Sequence, residues 1–64
     1  MKVTDEEKLM SVVNSLKDAG YNPRDQIYGF FSTNEETYIT RHGNAREIIK
    51  TINRDIIRDY IEKN

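Results

Sequence analysis

The stretch Ser15-Leu16-Lys17-Asp18-Ala19-Gly20-Tyr21-Asn22-Pro23 stops one helix and starts the next. Gly20 supplies the left-handed residue just beyond a helix C-terminus, a conformation that costs a residue without a Cβ nothing. Asn22 accepts well from free N–H groups at a helix start, and Pro23 fits the first helical position, where its missing N–H would have no partner anyway. Upstream, Leu9, Val12, Val13, Leu16 and Ala19 recur at spacings of three and four, the mark of one apolar helical stripe. Thr4 and Glu7 have the spacing of a capping box, so the first helix is predicted over residues 5–19. Downstream, Ile27, Phe30 and Phe31 give the second helix its buried face. Gly29 inside it lowers helix propensity by roughly 1 kcal/mol, which points to the close approach of a neighbouring backbone.

Thr33–Asn34–Glu35–Glu36 reads as a turn, and Thr37-Tyr38-Ile39-Thr40 as an extended segment too short to pair as a strand alone. Beyond Gly43, Asn44 is positioned to cap a third helix with Ala45, Ile48, Ile49 and Ile52 on its core face. Ile56, Ile57, Tyr60 and Ile61 continue that period. Two readings stand: one helix over 45–61, or a separate fourth helix capped by Asn53. Either way the apolar stripes must converge, giving an all-α fold, a compact small bundle of three to four helices in a single domain over residues 1–64.

The chain has 64 residues and no cysteine. This length lies near the lower limit for a fold without disulfides or metal. The apolar fraction of 36% becomes roughly 41% with the three glycines added, below the roughly 45–50% of ordinary domains, so self-association is the simplest way to enlarge the core. One histidine and no thiolate make no zinc site, and no cofactor is expected. Apolar runs are short, so neither a membrane helix nor a signal peptide is expected and the protein is placed in the cytoplasm. Ten basic and eleven acidic side chains leave a net charge of −1, too little field to hold DNA by counterion release. Residues 1–36 are net acidic and residues 37–64 net basic, so the two halves could complement each other between protomers.

Catalysis finds no support. His42 has no serine or cysteine nucleophile with an orienting acid beside it, Glu35 and Glu36 are adjacent rather than set across a cleft, and Gly20, Gly29 and Gly43 are isolated rather than gathered in a phosphate loop. The unusual feature is the basic series Arg46, Lys50, Arg54, Arg58, which shares one side of the chain if the C-terminal segment is helical. It reads as a solvated face neutralised by Glu47, Asp55 and Asp59, as a docking surface for an acidic protein partner, or as a nucleic-acid-binding helical module. Tyr21, Tyr28 and Tyr38 read either as core edges or as a dimer or partner interface, since aromatic groups with a polar tip are enriched there.

The Ser15–Pro23 corner followed by Gln26-Ile27 and Gly29, then Tyr38-Ile39, Arg41-His42, Ala45-Arg46, Ile49 and Arg54-Asp55, resembles the IreB family, small regulatory phosphoproteins of Gram-positive bacteria. The resemblance covers about residues 12–61. It implies an all-helical homodimer without enzymatic activity, phosphorylated on an N-terminal threonine by a transmembrane Ser/Thr kinase with PASTA domains. In that family the unphosphorylated protein promotes Clp-dependent degradation of the enzyme that commits UDP-N-acetylglucosamine to peptidoglycan, and phosphorylation relieves this, with cephalosporin tolerance as a consequence. Carried onto this chain, Thr4 is the candidate phosphorylation site. Arg41, His42, Arg46, Lys50 and Arg54 are the candidate partner-binding residues, and Tyr21, Tyr28, Phe30, Phe31 and Tyr38 the candidate dimer or core aromatics.

Overall fold

Local signals fix the first two helices. The structure, a computed structural model, describes residues 3–63. α1 spans Asp5–Asp18 and opens on the capping box, with the Thr4 hydroxyl accepting from the Glu7 backbone N–H and the Glu7 carboxylate accepting from that of Thr4. It closes on a Schellman motif: Gly20 N–H donates to the Lys17 carbonyl and Tyr21 N–H to that of Leu16, with Gly20 at φ +86°. α2 spans Pro23–Thr33 with Asn22 accepting from Asp25 N–H, and ends on Asn34 in the left-handed region.

The segment 36–44 departs from expectation. Glu36–Tyr38 forms a 3-10 turn and only Ile39 beyond it is extended. Ile39 is fully buried and belongs to the core, which makes the segment a plug between helices rather than a surface strand. A second 3-10 turn, His42–Asn44, carries Gly43 and Asn44 both at positive φ. Asn44 makes no side-chain cap, so the expected capping role is absent; its backbone turns the chain instead. Gly43 is required because a Cβ there would run into the Ser15 side chain of α1.

The C-terminal pattern resolves into two helices, α3 over Ala45–Ile49 and α4 over Arg54–Lys63. Asn53 starts α4 as the second of the two readings required, its side-chain oxygen accepting from Asp55 N–H at 2.8 Å. No strand occurs among the described residues. α1 packs chiefly against α3, and α2 against α4. The core is built from Leu9, Val12, Val13 and Leu16 of α1, Ile27 and Phe30 of α2, Ile39, and Ala45, Ile49, Ile52, Ile57 and Ile61. Phe31, Ile48, Ile56 and Tyr60 lie half-buried around it.

Phe30 and Ile39 are sealed into a core with few members, so each truncation leaves a cavity the short elements cannot refill. Phe30→Ala is expected to cost about 3–5 kcal/mol and Ile39→Ala about 2–5 kcal/mol in urea unfolding, whereas half-buried Phe31→Ala costs less. Equal midpoints for Phe30→Ala and the unsubstituted chain would contradict this packing.

Candidate functional site

At the head of α1, Thr4 is exposed but its hydroxyl is occupied, lying 3.1 Å from both the Glu7 backbone nitrogen and a Glu7 carboxylate oxygen. The Thr4 backbone N–H, and then its hydroxyl, hold the Glu7 carboxyl below its ordinary pKa of 4.5. The box is therefore complete above that ordinary value and is lost as pH falls through the lowered one. The same turn reaches across the fold. The Asp5 carboxylate accepts from Asn53 N–H at 3.0 Å, and Lys8 Nζ, 3.8 Å from Asp5, donates to the Thr51 hydroxyl at 3.3 Å. None of these long-range ties leaves a periodic trace in the sequence.

The basic residues do not form one line, because the chain bends between α3 and α4 and the regular four-residue spacing holds only along an unbroken helix. Each of the four is also engaged within the chain. Arg46 Nε, half-buried, donates to the Ile39 carbonyl at 2.8 Å and so holds the plug. Lys50 bridges Glu36 at 3.1 Å and Glu47 at 3.2 Å, and these carboxylates, Glu36 first, raise its pKa above the ordinary 10.5. Arg54 donates to the Asn34 side chain and to the Phe31 carbonyl, both at 2.9 Å, with its guanidinium 4.5 Å from the centre of the Phe31 ring. Arg58 lies 3.5 Å from Asp55. His42 faces Asp18 at 3.9 Å with both side chains exposed, and the Arg41 side chain has neither a hydrogen bond nor an ion pair among the described residues.

The aromatic set divides. Phe30 is core and Phe31 lies under Arg54. Tyr21, Tyr28 and Tyr38 are about half exposed, at 49%, 54% and 50%. Gly29 does permit a close approach, but by a side chain and not a backbone: a Cβ there would stand 2.7 Å from Cδ1 of Tyr38. Val3, just ahead of α1, and Met10, off its apolar stripe, are also exposed. Among the described residues no group of His, Cys, Asp and Glu could hold a metal ion, and no helix is long and apolar enough to cross a membrane.

The profile of the family described as IreB regulatory phosphoprotein matches residues 2–64. The chain belongs to the IreB family. It is 44% identical over 62 residues to a UPF0297 protein of Acetivibrio thermocellus, covering 89% of this chain and 69% of that protein. It is 40% identical over 57 residues to a UPF0297 protein of Ruminiclostridium cellulolyticum, covering 89% of this chain and 65% of that one. The chain thus spans about two thirds of the length of these two relatives. In this IreB-family chain the corner Gly20–Pro23 closes α1 and opens α2, while Arg46 and Arg54 tie loops and helix ends together.

Arg54 and Arg58 test the distinction between an internal tie and a solvated charge. Arg54→Ala removes two charge-assisted bonds and a cation–π contact and should lower stability by about 1–2 kcal/mol, with Arg54→Lys recovering only part of it. Arg58→Ala removes an exposed pair and should cost ~0–1 kcal/mol. Thermal or urea unfolding in which the two alanine variants coincide would return Arg54 to the solvated face.

Proposed function

We propose that this chain is a non-enzymatic regulator that acts by binding other proteins, that it is a substrate of a PASTA-type Ser/Thr kinase, and that through Clp-dependent proteolysis it controls the entry of precursor into peptidoglycan. The observation that carries this reading is the match of the regulatory phosphoprotein family to residues 2–64. The surface agrees with it: three half-exposed tyrosines, together with Arg41 and His42, supply aromatic and basic contact groups outside the core. A nucleic-acid role is disfavoured because Lys50 and Arg58 face carboxylates and Arg46 and Arg54 are turned to backbone carbonyls, leaving few cations to displace counterions.

Thr4 is the proposed modification site. A phosphate there would bring about −1.5 to −2 charge to the positive end of the α1 dipole, which favours it, and place it beside Asp5, Glu6 and Glu7, which does not. It would also displace the Glu7 carboxylate from the Thr4 hydroxyl. Mass spectrometry of the protein from cells with and without the cognate kinase should find kinase-dependent phosphate on Thr4. Phosphate confined to Thr37, Thr40 or another residue would leave Thr4 as a helix cap only.

Self-association completes the reading, because the exposed tyrosines give a second copy an aromatic surface to cover. Light scattering at micromolar concentration is expected to give twice the chain mass of 7.6 kDa. Tyr28→Ser should shift that mass towards the monomer. A monomer persisting to millimolar concentration contradicts the dimer.

A further inference from the structure

We propose that the first turn of α1 and the joint between α3 and α4 form one conformational unit, so that a change at Thr4 is read out at residues 50–53. The joint has no glycine or proline, and the apolar period runs through it from Ala45 to Ile61. Local sequence therefore permits a continuous helix, and the bend must be held by something else. Part of the hold is local: the Thr51 hydroxyl donates to the Ile48 carbonyl at 2.7 Å, and Asn53 accepts from Asp55 N–H. The remainder comes from α1. In a continuous helix the Asn53 N–H would donate to the Ile49 carbonyl four residues back. Here the Asp5 carboxylate accepts it instead, at 3.0 Å, while the Ile49 carbonyl takes the Ile52 N–H at 3.3 Å. Lys8, itself beside Asp5, anchors the Thr51 hydroxyl.

Asp5 is thus a substitute acceptor that keeps α3 and α4 apart, and its position is set by the capping box of the adjoining Thr4. Loss of the box frays the first turn of α1 and withdraws Asp5, leaving the Asn53 N–H without its acceptor. On the far side of the joint, Arg54 begins α4 and carries the tie to Phe31 and Asn34, so a change at the joint extends to the end of α2. Use of this unit as a switch rests on the proposed modification of Thr4; the coupling itself does not, and can be measured without a kinase.

The experiment is amide hydrogen exchange and Cα chemical shifts of the full chain by NMR, comparing Asp5→Ala, Thr4→Ala, Thr4→Ser and Glu6→Ala. Asp5→Ala and Thr4→Ala are expected to speed exchange at Asn53 by about tenfold and about threefold respectively, and to change the Cα shifts of residues 50–53. Thr4→Ser, which keeps the hydroxyl, and Glu6→Ala, which removes a carboxylate from the same turn, should match the unsubstituted chain. Unchanged exchange at Val12 and Ile27 will show that Asp5→Ala keeps its fold; if it does not, Asp5→Ser, whose shorter side chain does not reach Asn53, takes its place. Equal Asn53 exchange in the Asp5 and Glu6 variants overturns the proposal. So does an Asn53 amide that responds to Asp5 but not to Thr4→Ala. Absence of phosphate on Thr4 in cells would remove the kinase as the agent and leave this coupling standing.

Discussion

No helix among the described residues exceeds the length at which an isolated helix is marginal in water. The four span 14, 11, 5 and 10 residues, against the roughly 12–15 at which even an isolated alanine-rich helix becomes marginal in water. Helical structure therefore exists only as far as packing and end-capping support it. The stripe Leu9, Val12, Val13, Leu16 provides the common surface, and α3, little more than one turn, persists because Ala45 and Ile49 are sealed against it. With so few core members, the helix ends contribute a large share of what fixes the fold.

This explains where the basic side chains go. α2 has no basic residue in its own last turn, and Arg54 from the start of α4 supplies the missing positive charge at the Phe31 carbonyl. In return, Arg24 from the first turn of α2 donates to the Ile61 carbonyl near the end of α4 at 3.1 Å. The two helices lie antiparallel and each caps the other. Between them and α3, Gln26 accepts from Thr40 N–H at 3.2 Å and Arg46 donates to the Ile39 carbonyl, holding the plug on both sides. Arg46 and Arg54, which the sequence left open between a solvated face and a docking surface, are structural ties between short elements.

The sequence disclosed what depends on neighbours and concealed what depends on distant partners. Thr4 with Glu7, Gly20, and Asn22 with Pro23 act within a turn of their own positions, and both ends of α1 and the start of α2 fell where these residues put them. The bend at 50–53 depends on Asp5 and Lys8, separated from their partners by 48 and 43 residues, so periodicity could only leave it open. Burial of Ile39 depends on Gln26 and Arg46, and a β-branched, aromatic tetrad read locally as extended. The approach at Gly29 was legible as an approach, while the identity of the approaching group required the 3-10 turn that carries Tyr38. Family membership was legible through the resemblance carried by the Ser15–Pro23 corner with Gln26, Ile27 and Gly29.

A fold organised this way gives a chemical change at a helix end more leverage than its own energy suggests. An exposed cap contributes ~0.5–2 kcal/mol, modest in a large domain but a substantial fraction of what a chain of this size can hold. Thr4 stands at the end of the longest helix, and the turn it caps supplies acceptors to a joint on the other side of the bundle. Tyr21, Tyr28 and Tyr38 lie instead around α2, whose C-terminus is tied to that joint by Arg54. The contacts between Thr4 and that aromatic surface lie at helix ends, outside the buried stripe of α1. A regulator built in this way can alter what its surface offers a partner without unfolding its core.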